Sequence, residues 1–67
     1  MLTQRQQNIL AYIEAYRDEN GYSPSIDEIR EACNLSSKSL VFRELQRLEN
    51  DNLISRHPRI ARSIQVL

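Results

Sequence analysis

The segment from Ser36 to Leu48 most constrains the fold of this chain, because it is apolar along one side only. At about 100° per residue in an α-helix, Val41 and Leu45 fall within about 60° of Leu48. Such a narrow apolar stripe packs against a core and leaves the other side of the helix in solvent. The segment therefore predicts an amphipathic helix, which we place over about residues 37–50.

The opposite side of this predicted helix carries polar side chains. Ser39, Arg43 and Gln46 point outward, and Phe42 lies on the flank between the two faces. Hydroxyl, guanidinium and amide groups hydrogen-bond to the phosphates and base edges of DNA. Most amphipathic helices, however, simply show their polar face to water. The helix alone leaves both interpretations open, so its place in the chain has to be considered.

A first helix is predicted near the amino terminus. Thr3 and Gln6 fit a capping box, in which each side chain bonds to the backbone of the other residue. Apolar residues then recur on one stripe until Gly21, which tolerates the left-handed conformation that ends many helices. We expect this helix over about residues 4–20.

A second capping box at Ser25 and Glu28 predicts a short helix over about residues 26–33. The tripeptide 34–36 then makes a tight turn, because asparagine tolerates the turn conformation and a serine caps the following helix. A short helix, a turn of three to four residues and a longer helix form the helix-turn-helix arrangement.

Two β-like runs, Leu53–Arg56 and Arg62–Leu67, follow the third helix. The segment His57–Ala61, which includes Pro58, joins them, so a hairpin with a five-residue loop is predicted over about residues 53–67. The whole chain, residues 1–67, is thus predicted to be one mainly α (α+β) domain. Its expected fold is a three-helix winged helix-turn-helix with a C-terminal two-stranded β-hairpin wing.

Composition excludes several classes of function. The single cysteine, Cys33, cannot form an internal disulfide, and its spacing from His57 suggests no metal site. With one glycine and no nucleophile at recognisable spacing from a base, we predict no enzyme, no cofactor and no small-molecule ligand. The longest apolar run, residues 9–13, is too short to span a bilayer, and nothing resembles a signal peptide. We therefore expect a cytoplasmic protein without a membrane partner.

Charge is unevenly distributed, although the formal net charge is zero. Residues 1–35 carry three arginines against six acidic residues, whereas residues 36–67 carry six basic residues against three acidic ones. A domain with one acidic and one basic half presents an oriented field, and the basic half would face a polyanion.

Five stretches, which together span essentially the whole chain, follow a recognisable order: Leu2–Leu10, Gly21–Ile29, Leu35–Val41, Leu45–Glu49 and Arg56–Ile64. In this order they resemble the amino-terminal DNA-binding domain of LexA-type repressors. The resemblance implies that the third helix enters the major groove and that the wing lies against the backbone or minor groove. It also implies a bacterial or phage origin and repression by occupying an operator.

The resemblance transfers unevenly to individual positions. Ser37 and Ser39 match serines that some family members carry at the start of the recognition helix, whereas Phe42 and Arg43 stand where the family usually has polar, acidic or small residues. That departure puts the family's usual operator sequence in doubt. Full-length members carry a second domain that dimerises and cleaves its own linker with a serine and a lysine. Because this chain stops at Leu67, neither property is carried over.

Each position on the third helix has a DNA-binding role and a plainer alternative. Arg43 suits a bidentate contact to guanine, or else pairs with its helix neighbours in solvent. Ser39 and Ser37 can reach bases or phosphates, but Ser37 is equally a helix cap. Lys38 is expected to contact a phosphate or to remain solvated. Gln46 can bond adenine, although its depth along the helix can also make it miss the bases.

The flank and the wing complete the predicted site. Phe42 either contacts a thymine methyl group or packs on the wing or a partner. The wing arginines form a basic strip suited to phosphates, with Arg59 a candidate for the minor groove, unless the wing is merely solvated. Cys33 is expected in the core, and the tyrosines in packing. The predicted DNA-binding set is Ser37, Lys38, Ser39, Phe42, Arg43, Gln46, Arg47, Arg56, His57, Arg59 and Arg62.

Two functions follow from this pattern. The leading one is sequence-specific binding of double-stranded DNA by a transcriptional repressor, with a homodimer on a palindromic operator because one small module binds weakly. The alternative is a winged-helix protein-interaction module, such as a phage protein that docks on a host repressor or polymerase. Leu40, Phe42 and the acidic amino-terminal half would then form the docking surface.

Overall fold

A computed structural model describes residues 2–57 and 59–67, so Pro58, which belongs to the predicted hairpin loop, lies outside the described residues, as does Met1. The chain forms three helices followed by a two-stranded antiparallel sheet, which confirms the predicted winged helix-turn-helix. In chain order the elements are α1 (Gln4–Asn20), α2 (Ile26–Ala32), α3 (Lys38–Asn50), β1 (Ile54–Ser55) and β2 (Gln65–Val66).

The predicted caps of the first two helices are present. Thr3 and Gln6 form the capping box of α1, and Gly21 ends that helix with a φ of 79°. Ser25 and Glu28 form the second box, in which the Ser25 backbone N–H donates to a Glu28 carboxylate oxygen at 2.7 Å. These local bonds satisfy N–H groups that a helix start leaves without intrahelical partners.

The boundaries of α2 and α3 differ from prediction by one residue each. Ser37 is the N-cap of α3 rather than its first residue, because its side chain accepts a hydrogen bond from the Leu40 N–H at 3.2 Å. Cys33 is the C-cap of α2 and is half-buried against the core. Asn34 then takes a φ of 56°, and this left-handed residue turns the chain toward α3.

The hydrophobic core lies where the helices and the sheet meet. The predicted stripe of α3 is entirely buried there, and Leu35 fills the space beside the turn between α2 and α3. The wing contributes two buried isoleucines, Ile54 in β1 and Ile64 just before β2, so the hairpin is part of the core rather than an appendage. The buried apolar residues are Ile9, Ile13, Ile29, Leu35, Val41, Leu45, Leu48, Ile54 and Ile64.

The wing has much shorter strands than the sequence predicted. Ile54 pairs with Val66 and Ser55 with Gln65, which leaves residues 56–64 as the connection instead of a five-residue loop. Beyond these pairs, the Ser63 hydroxyl accepts from the His57 N–H and donates to the His57 carbonyl, both at 2.9 Å. The Ser63 side chain thus makes the two bonds that the backbone would make at the next hydrogen-bonded pair of a regular hairpin.

None of the helices within the described residues is both long enough and apolar enough to cross a membrane.

Candidate nucleic-acid interface

The exposed side of α3 carries the side chains that the sequence predicted there. Ser39 and Arg43 are exposed, and with Ser36, Ser37 and Leu40 they line a shallow depression at the start of the helix. The wing does not line this depression. The face opposite the buried stripe is therefore open to a partner.

Arg43 forms no ion pair within residues 2–57 and 59–67, and Arg47 and Arg59 likewise form none there. All three residues are exposed. The acidic neighbour of Arg43 in sequence, Glu44, is itself buried and does not form the helix-surface pair considered above. These guanidinium groups keep their donors available for an anionic partner.

The first turn of α3 combines a cap with a surface ion pair. The Ser37 hydroxyl is engaged as the N-cap, but a hydroxyl that accepts one bond still has a proton to donate. The Lys38 ammonium lies 3.2 Å from an Asp27 carboxylate oxygen, and both side chains are more than half exposed. Because an exposed pair of this kind is worth little, Lys38 can exchange Asp27 for a phosphate.

Arg56 and Gln46, both predicted to contact DNA, are hydrogen-bonded to each other. The Arg56 Nη2 donates to the Gln46 Oε1 at 3.3 Å, and the Gln46 amide donates to Asn50 Oδ1 at 3.0 Å. The Arg56 side chain is only 14% exposed, and its Nε lies 3.5 Å from a Glu49 oxygen without a well-directed hydrogen bond. Arg56 and Gln46 therefore join the wing to α3.

Phe42 lies between the helix face and the wing. The Arg56 guanidinium carbon is 6.0 Å from the centre of the Phe42 ring, within reach of a cation–π interaction. Phe42 nevertheless remains 44% exposed. Its ring borders a groove of about 320 Å³ between the start of α2 and the wing connection. Phe42 therefore packs beside the wing and still exposes part of its ring.

At the wing tip, His57 and Arg59 are exposed, as is Ile60. The backbone of His57 is held by Ser63, and its carbonyl also accepts from the Ile60 N–H at 3.1 Å. The tip therefore presents basic side chains on a backbone held by side-chain and main-chain bonds.

Arg62 does not belong to this basic strip. Its guanidinium donates from Nη1 to Glu28 Oε1 at 2.8 Å and from Nη2 to Glu28 Oε2 at 3.2 Å, while Nη1 also donates to the Tyr16 hydroxyl at 3.1 Å. The guanidinium carbon lies 5.0 Å from the centre of the Tyr22 ring. The predicted phosphate contact by Arg62 does not fit this arrangement, because its donors are directed at α1 and α2.

The charge pair shifts the pKa values of both partners. Hydrogen bonds from Arg62, and then from the Ser25 backbone, lower the pKa of Glu28 from its ordinary 4.5 to about 2. The same Glu28 carboxylate raises the pKa of Arg62. Both groups therefore stay charged through the physiological range.

Sequence reasoning missed the Arg62 partners. From the sequence, Glu28 is expected to serve its capping box and Tyr16 to pack, so neither residue suggests a partner for Arg62. The pattern contained no local signal, since Arg62 and Glu28 are 34 positions apart. Of the predicted packing residues, Tyr12 packs against the core and Cys33 is half-buried, which raises the pKa of its thiol, whereas Tyr22 is 49% exposed. The described ranges contain no cluster of side chains suited to a metal ion.

Comparison with known proteins gives a consistent result. Residues 1–63 match the family model described as the LexA DNA binding domain. The LexA repressor of Bacillus cereus (strain Q1) is 46% identical over 66 residues, which cover 98% of this chain and 32% of that repressor. The LexA repressor of Roseiflexus sp. (strain RS-1) is 43% identical over 65 residues, covering 97% and 30%. The chain thus spans less than a third of the length of these relatives.

Proposed function

This chain belongs to the LexA DNA-binding domain family, and on that premise we propose that it binds double-stranded DNA sequence-specifically as the operator-reading part of a LexA-like transcriptional repressor. The observation that carries the proposal is the exposed outer face of α3, where Ser39 and Arg43 lie opposite the buried stripe. An α-helix with such a face fits the major groove.

On the helix, each exposed group has a chemical counterpart on a duplex. Arg43 donates two bonds to the O6 and N7 of guanine, and Ser39 bonds to a base edge or phosphate. Lys38 and Arg47 contact phosphates on the flanks, and Ser37 adds a contact through its remaining hydroxyl proton. The exposed part of the Phe42 ring contacts a thymine methyl group.

The wing supplies the backbone contacts. His57 and Arg59 at its tip lie against phosphates, with Arg59 reaching the minor groove. Arg56 and Gln46 hold the wing beside α3 and make no base contact in this scheme, since Arg56 Nη2 and both polar atoms of the Gln46 amide bond within the protein. Arg62 is omitted from the contact set for the same reason.

One copy makes too few contacts for tight binding. A single small module buries less surface than a typical specific interface, and two copies on a palindromic operator would combine their affinities. We therefore propose that the repressor acts as a homodimer in the cytoplasm, where bacterial operators lie. The chain covers 30% and 32% of the two LexA relatives described above, and the activities of their remaining length are not part of this proposal.

The experiment is selection of bound sequences from a random duplex library, followed by titration of the recovered site at two salt concentrations. We expect a motif with guanine at the position read by Arg43, and affinity that falls as salt rises. An inverted repeat in the motif would support the dimer. Absence of salt-dependent binding to every duplex would refute the proposal. The comparisons give no support to the alternative of a protein-docking module.

A further inference from the structure

Arg62 lies at the centre of a cluster that ties the wing to α1 and α2. Its guanidinium bonds to Glu28 of α2 and Tyr16 of α1. Its backbone carbonyl accepts a 2.6 Å hydrogen bond from the hydroxyl of Ser23, which is only 4% exposed. The guanidinium also donates to the Ser23 carbonyl at 3.3 Å. We call Tyr16, Ser23, Glu28 and Arg62 the wing clamp.

The short strands and the buried isoleucines anchor the base of the wing, whereas the connection beyond them needs support of its own. Among the described residues, the strand pairs are Ile54–Val66 and Ser55–Gln65, and the connection of nine residues extends beyond them toward the tip. Arg62 also has a φ of 57°, a left-handed conformation that a non-glycine residue keeps only when its surroundings hold it. The clamp provides that support from both the side chain and the main chain.

We propose that Arg62 is a positioning residue for DNA binding: it fixes the wing against α1 and α2 so that Arg59 meets the duplex at the correct distance from α3. This inference rests on the proposed DNA-binding function. It differs from a direct phosphate contact by Arg62, because a bidentate pair with Glu28 at 2.8 and 3.2 Å already uses the guanidinium.

Glu28→Gln separates the two roles by the sign of its effect. Glutamine still serves the capping box at this position but loses the charged pair. If Arg62 bound a phosphate directly, removing its carboxylate competitor would tighten DNA binding. If the clamp positions the wing, DNA binding weakens by about fivefold at 0.15 M salt, the value of one lost phosphate contact.

Glu31→Gln is the matched control. It removes the same charge from the same helix, and Glu31 is exposed and paired only loosely with Arg30 at 3.7 Å. We expect it to bind DNA as the parent does or slightly more tightly, because a screened negative charge has been removed. Binding by Glu28→Gln that equals or exceeds that of Glu31→Gln would overturn the inference.

A second measurement distinguishes positioning from a general loss of structure. Arg59→Ala should weaken binding by about fivefold in the parent chain and have almost no further effect in the Glu28→Gln background, because the wing contact is already lost there. A full, additive cost of Arg59→Ala in both backgrounds would overturn the inference. All titrations use protein shown by thermal unfolding to be folded at the binding temperature.

Ser23→Ala provides an independent route if Glu28→Gln folds poorly. It removes the hydroxyl that holds the Arg62 carbonyl and changes no charge. We expect weaker binding and a smaller cost of Arg59→Ala, and an unchanged cost would count against the clamp. If the parent chain binds no duplex, the proposed function itself fails. If it binds and the variants behave like the control, only the clamp fails.

Discussion

Two sets of arginines in this molecule carry the same charge but differ in what surrounds them. Arg43 and Arg59 are exposed and form no ion pair in the described part of the chain, whereas Arg56 and Arg62 bond to Gln46 and Glu28. All belong to the basic carboxyl-terminal half. The comparison teaches that a basic stretch overstates a nucleic-acid interface, because only arginines without an acceptor nearby keep their donors for DNA.

The set of exposed arginines without an ion pair among the described residues, Arg43 and Arg59, is tested most strongly by Arg43→Ala. We expect DNA binding to weaken by about 1–3 kcal/mol, the value of a bidentate guanine contact, with loss of discrimination at one base position. The thermal unfolding midpoint should stay unchanged, since the side chain is exposed. Fluorescence anisotropy with the selected duplex and a single-base variant measures both effects.

Arg17→Ala is the control for this experiment, because it removes one positive charge from an exposed position on α1. It should bind nearly as the parent does. Equal losses from Arg17→Ala and Arg43→Ala would mean that only overall charge matters, and the distinction between the two sets would disappear.

The set of hydrogen-bonded arginines, Arg56 and Arg62, is tested by Arg62→Ala. This substitution should lower the stability of the fold, whereas Arg43→Ala should not. The substitution leaves Glu28 without its bidentate partner and removes packing on the Tyr22 ring. We expect the unfolding midpoint in calorimetry to fall clearly below that of Arg43→Ala at neutral pH. Identical midpoints for the two variants would show that Arg62 is as free as Arg43.

The smallest expected effect is a pH dependence. Glu28 has an ordinary pKa of 4.5 that falls to about 2 in the folded chain. A lowered folded pKa stabilises the folded state above 4.5, and this stabilisation is lost as pH falls toward 2. Thermal unfolding of the parent between pH 5 and pH 2 should therefore show a steeper fall than that of Glu28→Gln. Parallel curves would contradict the ion pair.

The helices could be predicted from sequence because their signals are local. Capping boxes at Thr3 and Ser25, and the left-handed ends at Gly21 and Asn34, act within a few residues of the helix that they define. The same holds for the buried stripe of α3, which follows from helical periodicity alone. These features place the outer face of α3 correctly before any long-range contact is known.

The division of the arginines could not be predicted, because it depends on long-range contacts. Arg62 meets a carboxylate 34 positions away, and Arg56 meets Gln46 only after the wing folds back on α3. Periodicity contains no information about such pairs. The strand lengths were wrong for a related reason: the Ser63 side chain, and not a continued backbone ladder, bonds to His57, and the left-handed Arg62 interrupts the extended run.

The Ser63 hydroxyl closes the wing connection by bonding to both the N–H and the carbonyl of His57. The turn beyond this closure is therefore separated from the paired strands, and we expect substitutions at residues 59–61 to leave the strand pairing intact. For engineering, this tip is the natural place to graft new contacts without redesigning the core.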